Sequence, residues 1–365
     1  MKKVILLFLI LLLSSLVLIG CVSNGPCVDD GHVLNSKCVC RKCNETIHQL
    51  NSDCSCINCG EIIHTVNLGM CEKCNRVIIS SDSKYVNFGS YPQSEIKDPK
   101  IINLLNSKVN SLPSSIFMGE WSRGNHEYMY CINKNHEGEK YCGVYFTGIT
   151  NPSTTKVNGY SIDTIYWFKY EPIKWRILSK DSGNALVFTE MIIDGRCFYP
   201  EIYDNRELYG ETIEPVNWAH STIRKWLSSD FASNAFVYAQ KSAIVETKLD
   251  NKTTAVPGSL HREQSDTTDT IFLLSYKDMV NKEYGFKESF NERDPNRQKK
   301  ITDYARIRGV STEGNWWTRS PYETNPHFLA NGIAIINTIG SIDILASSVD
   351  NTMIGVVPAM IIKIA

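Results

Sequence analysis

Cysteine is scarce in the larger part of this chain: of thirteen, only Cys131, Cys142 and Cys197 lie beyond Cys74. That scarcity excludes a disulfide-dense scaffold for everything after the first quarter of the sequence. An excess of either charge is also lacking. The formal net charge is -1, falling to -3 once Lys2 and Lys3 are set aside with the first twenty residues, so no basic footprint for nucleic acid exists. After Ile19 no apolar run is long enough to cross a membrane. Common catalytic signatures are missing as well: there is no H-E-x-x-H, G-x-S-x-G, G-x-x-x-x-G-K-[ST] or G-x-G-x-x-G. Ser81 to Lys84 and Ser94 to Lys97 match S-x-x-K, but without its companion motifs so short a pattern marks nothing. Composition is otherwise that of an ordinary globular protein, 42% hydrophobic and 21% charged, so the chain can bury a sizeable core.

What is there begins with a leader. Lys2 and Lys3 precede an unbroken apolar run from Val4 to Leu13, which Ser14 and Ser15 interrupt and Leu16 to Ile19 resume. The run is too short for a comfortable spanning helix and ends in small residues, as a cleaved signal peptide does. The stretch Leu18-Ile19-Gly20-Cys21 resembles the lipobox of bacterial lipoproteins. The resemblance implies a signal peptide over 1–20, a lipid-anchored N-terminus over 21–26 with the acyl chains on Cys21, and an extracytoplasmic location on the cell membrane or outer membrane. Two or three acyl chains hold far better than one, because each buried methylene contributes about 0.8 kcal/mol.

Residues 27–78 form a module of their own. Cys27, His32, Cys38, Cys40, Cys43, His48, Cys54, Cys56, Cys59, His64, Cys71 and Cys74 are twelve potential ligands, and Cys38/Cys40/Cys43/His48 recurs sixteen residues later as Cys54/Cys56/Cys59/His64. Twelve divides into three sets of three thiolates and one imidazole, a common tetrahedral zinc set. Taken in order they are Cys27/His32/Cys38/Cys40, Cys43/His48/Cys54/Cys56 and Cys59/His64/Cys71/Cys74. An interleaved register, Cys27/His32/Cys40/Cys43, Cys38/His48/Cys56/Cys59 and Cys54/His64/Cys71/Cys74, is equally complete. So small a segment cannot offset its chain entropy by apolar burial alone and needs a cross-link, either metal or disulfides. The odd count of nine cysteines and the histidines recurring in step favour structural zinc over disulfides. The segment resembles zinc-ribbon-like repeats of extracytoplasmic bacterial proteins. Four protein ligands per metal leave no place for a reacting water.

A serine-rich linker follows at 79–84, and the pattern then changes to that of a mixed α+β domain over 85–365. Val86 to Gly89, Ile173 to Leu178, Ala185 to Ile193, Gly332 to Ile335, Gly340 to Leu345 and Met360 to Ile364 read as strands. Asp98-Pro99 opens a helix through Leu105, Ser221 opens a second, Ser275 with Asp278 a third reaching Tyr284-Gly285, and Ile301 to Arg308 a fourth closed by Gly309.

Six ordered blocks carry a family resemblance: Phe88 to Gln93, Pro172 to Trp175, Ser221 to Leu227, Ile271 to Ser275, Trp316 to Pro321 and Gly355 to Ala359. Together they resemble a bacterial extracytoplasmic domain of unknown function whose closing signature is Trp-Trp-x-Arg-Ser-Pro followed by Gly-Val-Arg-Pro-Ala. Val357 stands where that family has arginine, which weakens any anion-binding role for the position. More distantly the blocks are similar to the C-type-lectin-like scaffold of formylglycine-generating enzymes, whose late cysteine pair this chain lacks. The resemblance implies an α+β binding domain and transfers no chemistry.

Among single residues, Cys131 and Cys142 flank a turn-rich stretch and could face each other across a hairpin as a disulfide, with two free thiols as the alternative. Trp316 and Trp317 point to opposite faces of a strand, so one fills a core and the other covers a second layer or meets a ligand. Arg319 either ties down a loop or joins that contact. Asp343, Asp350 and Asn351 offer too few oxygens to support calcium. The expectation is a membrane-anchored surface lipoprotein that binds an extracytoplasmic carbohydrate or protein, with enzymatic activity left open. The alternatives are a cell-envelope hydrolase and a structural envelope component. For the anchor, Cys21→Ser should abolish incorporation of labelled fatty acid and leave an unprocessed precursor; label retained by the variant would rule the lipidation out.

Overall fold

The computed structural model describes Cys54 and residues 66–365 apart from 68, 72–73, 114–117, 121, 124–127, 148–155, 158, 201–205, 209–210, 253–255, 257–263, 313 and 323–331. Residues 1–20, Cys21 and nine of the twelve module ligands, all but Cys54, Cys71 and Cys74, lie outside the described residues; Cys54 belongs to a first unit, Met1–His64. Everything below concerns the second unit, Thr65–Ala365.

Along the chain, β1 (Tyr85–Glu95) is followed by α1 (Pro99–Ser107), then by the hairpin β2 (Met129–His136) and β3 (Glu139–Phe146), the long β4 (Ile165–Asp181) and β5 (Asn184–Thr189). After these come α2 (Thr222–Trp226), β6 (Ile271–Leu273), α3 (Tyr276–Met279), α4 (Asp303–Ile307), β7 (Trp316–Tyr322), β8 (Gly332–Ile336), β9 (Ile342–Ser348) and β10 (Pro358–Lys363). The architecture is mostly β, which corrects the α+β expectation. β4 runs for seventeen residues, whereas the longest helix, α1, has nine. The capping signals were real but the helices they open are short. Ser221 and Ser275 each cap their helix through the side chain, yet α3 stops after one turn and the chain resumes as a 3-10 turn, Lys282–Tyr284, closed by Gly285. Among the described residues no helix is long and apolar enough to cross a membrane.

β4 organises the main, antiparallel sheet. One of its edges pairs with β1; the other pairs with β3 along its first part and β5 along its last. β10 continues the sheet beyond β5 and also pairs with β6 and with Ile244–Val245. A second sheet holds Asp194–Gly195, Gly355–Val356, β7, β8 and β9. Strand alternation gives the main sheet two covered faces. Phe168, Val144 and Phe146 enter the large core, while Trp167, Tyr130, Ile132 and Tyr141 face a smaller one beneath α1. α1 is pinned there by Leu105 and by the Trp167 indole, which donates to Asn106 Oδ1 at 2.8 Å.

The segment 79–84 is tied to this body: Ile79 packs on the core, and the Lys180 ammonium donates to the carbonyls of Ser80 and Ser81 at 3.0 and 2.8 Å. Val77 reaches further, bridging to Ile364 beside β10.

Every residue of β7 is buried, so both of its faces are covered by protein. The Trp316 indole donates to the Arg297 carbonyl at 3.2 Å, and that of Trp317 to the Arg196 carbonyl at 2.8 Å, with Phe198 against the Trp317 ring. Neither tryptophan faces solvent. Arg319 is buried too, its guanidinium held by Asn251 Oδ1, the Leu273 carbonyl and Asp278 Oδ2 at 3.1, 2.7 and 3.0 Å. The two tryptophans are core on two sides of one strand, and Arg319 is a tether between β7 and α3. Trp316→Ala and Trp317→Ala should therefore each lower unfolding free energy by about 3 to 5 kcal/mol. Denaturant melts that left one of them near wild type would place that ring outside the core.

Candidate functional site

Among the described residues of the second unit, chemistry-bearing side chains gather at two places considered in turn. The first is the hairpin Val66–Asn67/Met70–Cys71, which delivers Cys71 and Cys74. Their Sγ atoms lie within 4.8 Å of each other. The turn is closed by Cys71 N–H donating to the Arg76 carbonyl at 2.9 Å and Asn75 N–H donating to the Cys71 carbonyl at 3.0 Å. Asn75 takes the left-handed conformation, φ 52°, that such a tight reversal requires and that asparagine tolerates. A C-x2-C turn of this kind presents two thiolates to adjacent corners of a tetrahedral metal.

The second is a cleft of about 420 Å³, within the range of small-molecule sites. One wall is the sheet, contributing Lys84, Tyr85, Arg176, Ile177, Leu178 and Glu190. The other is the loop from Glu283 to Lys299. The walls are mostly polar and carry both signs of charge, with Tyr85 and Tyr284 as aromatic surfaces.

Each cleft residue is positioned by the elements beneath it. Alternation along β4 buries Ile173 and Trp175 and turns Lys174 and Arg176 outward. Arg176 then clamps the loop, donating to the Asn296 and Tyr284 carbonyls at 2.9 and 2.8 Å. Gly285, left-handed at φ 77°, makes that approach possible, because a Cβ there would sit 3.2 Å from the Arg176 Nη2 atom. The loop itself is built around Arg297. Its buried guanidinium donates to the carbonyls of Met279, Lys287, Ser289 and Gly340 and lies 3.3 Å from Asp294. Asp294 in turn accepts from the backbone N–H of Lys287 and Asn296, both at 2.9 Å. The indole of Trp316 holds the Arg297 carbonyl, so the tryptophan signature supports the cleft from below without entering it.

Lys299 is the unusual member. Its ammonium carries almost no exposed surface, lies 3.6 Å from the Phe188 ring centroid and 3.6 Å from Glu190 Oε2. Burial pulls its pKa down to about 7; Glu190 opposes the shift and the Arg176 charge adds to it. An amine that exists partly uncharged near neutrality can accept a hydrogen bond as well as donate one, which an ordinary surface lysine cannot.

Other residues singled out by the sequence fall elsewhere. Cys131 and Cys142 are free thiols on neighbouring strands, and Cys197 is a half-buried free thiol whose pKa burial pushes up. Asp350 and Asn351 close a turn, Asp350 accepting from the Ser348 hydroxyl at 2.5 Å and Asn351 Oδ1 from the Met353 N–H at 2.9 Å. Val357, at the position where arginine was expected, is fully buried in the apolar core. The cleft residues Arg176, Glu190 and Lys299 carried no motif.

Residues 182–364 match the profile of a family described as Domain of unknown function (DUF6273). The match includes the last four of the six ordered blocks and begins after the first two. No curated protein and no solved structure matches the chain significantly.

The buried amine generates a pH dependence. A folded pKa of about 7, below the ordinary lysine value near 10.4, means that the cost of burying the charge is fully present below pH 7 and fades as pH rises towards 10. Lys299→Met keeps the contact with Phe188 and removes the charge. It should melt above wild type at pH 6, with the gain shrinking by pH 9; a gain independent of pH would show that the amine is not the cause.

Proposed function

The chain belongs to the DUF6273 family, and from that starting point we propose that it is a lipid-anchored extracytoplasmic binding protein whose cleft captures a polyhydroxylated ligand, a carbohydrate. The leader and the Leu18-Ile19-Gly20-Cys21 stretch support the anchor. The repeated Cys/His spacing and the Cys71-x2-Cys74 turn support a structural zinc module between anchor and binding domain.

The observation that carries the carbohydrate reading is the composition of the cleft. A sugar offers pairs of hydroxyls that both donate and accept, on a ring with an apolar face. The cleft offers Glu190 and Glu283 as acceptors, Arg176 and Lys84 as donors, and the amides of Asn296 and Gln298 as both. Tyr85 supplies a surface for the ring: it is 40% exposed at the rim, and the Lys174 ammonium, 4.0 Å from its centroid, fixes its orientation. A site for an apolar ligand would have far less polar wall. A protein ligand would need a broader apolar centre than this cleft presents.

A glycan array probed with the chain lacking residues 1–21 tests the reading. Binding should appear on a subset of glycans. Tyr85→Ala should weaken it about tenfold, the worth of one aromatic contact, without lowering the melting temperature. No binding to any glycan, or binding indifferent to Tyr85, would defeat it. Cleavage of a bound glycan that disappears in Glu190→Gln would favour the cell-envelope hydrolase instead.

A further inference from the structure

The hairpin of β2 and β3 carries a second constellation, separate from the cleft. Its turn is a two-residue reversal at Glu137 and Gly138, both left-handed, which fixes the register of the strands. In that register Cys131 lies opposite Val144 and Cys142 opposite Asn133, so the two thiols are diagonal neighbours on one face. Diagonal Cβ atoms stand roughly 7 Å apart or somewhat less, beyond the roughly 3.5 to 4.5 Å of a relaxed disulfide. A cross-link between diagonal positions would draw the strands together more than one between facing positions. The directly facing arrangement expected from the sequence is off by two residues.

The thiols lie against the large core, but charged and polar groups reach them there. Arg308, at the end of α4, is buried, and its Nη1 lies 3.3 Å from Cys131 Sγ and 3.1 Å from Met129 Sδ. Its Nε donates to Asp194 Oδ1 at 3.0 Å, and Asp194 also accepts from the Tyr91 hydroxyl and the Gly195 N–H, each at 2.8 Å. The guanidinium is thus anchored behind and aimed at sulfur in front. The Tyr304 hydroxyl, kept protonated by burial, lies 3.9 Å from Cys142 Sγ. The two sulfurs are unequal. A hydrogen bond from Cys142, and then the Arg308 charge, hold the Cys131 thiol below the ordinary range, whereas the bond to Cys131 and burial hold the Cys142 thiol above it. As residues, Cys131 is half-buried and Cys142 buried, so the more acidic thiol belongs to the less buried residue. A thiolate held by a guanidinium beside a second, resolving thiol is the arrangement that reacts with peroxide.

We propose that Cys131 and Cys142 form a redox-active dithiol that reduces a small hydroperoxide. The Cys131 thiolate attacks the terminal oxygen of the hydroperoxide; the S–O bond forms, the O–O bond breaks, and the leaving alkoxide or hydroxide takes the Cys142 proton. The Cys142 thiolate then attacks the Cys131 sulfenic sulfur, forming the S–S bond and expelling hydroxide, which takes up the proton that Cys131 released to solvent on ionising. Two electrons pass from the two thiols to the two oxygens, giving an alcohol or water and a second water. Arg308 stabilises the attacking thiolate and the departing oxyanion. Closing the bond pulls diagonal strand positions together, so the disulfide is strained and an external dithiol reduces it readily by exchange.

The test uses the full chain, reduced, treated with hydrogen peroxide, alkylated and read by peptide mass spectrometry, which reports Cys131 and Cys142 apart from the N-terminal cysteines. A Cys131–Cys142 cross-link that dithiothreitol removes is expected. In Cys142→Ser, a sulfenic acid on Cys131 should be trapped by dimedone, whereas in Cys131→Ser the Cys142 thiol should remain unmodified. Both thiols surviving peroxide, dimedone capture at Cys142 in preference to Cys131, or a cross-link present before peroxide and resistant to dithiothreitol would each overturn the proposal.

Discussion

One buried guanidinium gives the cleft its shape. Arg297 has no exposed surface and gathers carbonyls from Met279, Lys287, Ser289 and Gly340, groups far apart along the chain that would otherwise lie buried and unpaired. Asp294 offsets its charge and organises the backbone on the other side. A loop with few large apolar residues cannot hold a fixed path by packing alone, and here a charged hub with several directional bonds replaces a hydrophobic centre. The arrangement stands only because every partner is present, since removing one side of a buried charged network leaves the other uncompensated.

The rest of the second unit connects to that hub by short routes. Trp316 holds the Arg297 carbonyl from β7, Arg176 holds the loop from β4, and Gly285 lets the two approach. Arg319 performs a comparable task between β7, β6 and α3. Three arginines thus join strands to loops through main-chain carbonyls, a use that suits a planar donor fork better than lysine's point charge. The tryptophan-rich signature and the cleft are parts of one mechanical assembly, the first hidden and the second open.

Local signals were the most legible in the sequence. Asp98, Ser221 and Ser275 cap the helices they were expected to cap, because capping depends only on residues within one turn. Fold class was less legible for a related reason: a cap marks where a helix starts and says little about where it stops. The helix expected from Ser275 to Gly285 breaks after Met279, and that from Ile301 shrinks to Asp303–Ile307, leaving the sheets to dominate. The period-two reading was right that Trp316 and Trp317 face opposite ways, but it could not show that protein covers both sides. The cleft was least legible. Arg297-Gln298-Lys299-Lys300 reads as a solvated charge run, yet Arg297 and the Lys299 side chain turn inward and Lys300 outward. Only the tertiary partners Asp294, Glu190 and Phe188 distinguish it from any other basic stretch.

The position of β10 governs the order in which the molecule can be assembled. This strand, Pro358–Lys363, pairs with residues near 184, 244 and 271, and its neighbour Ile364 pairs with Val77. Until residue 364 is available, β5, β6 and Ile244–Val245 lack their common partner and Val77 lacks its bridge to Ile364. A chain threaded outward from its first residues must therefore wait, partly unpaired, for its last ones. Long-range closure of this kind is slow and leaves strand edges open in the meantime. Were the N-terminus lipid-anchored as proposed, tethering would keep that unfinished state spaced from its copies while the closing strand arrives.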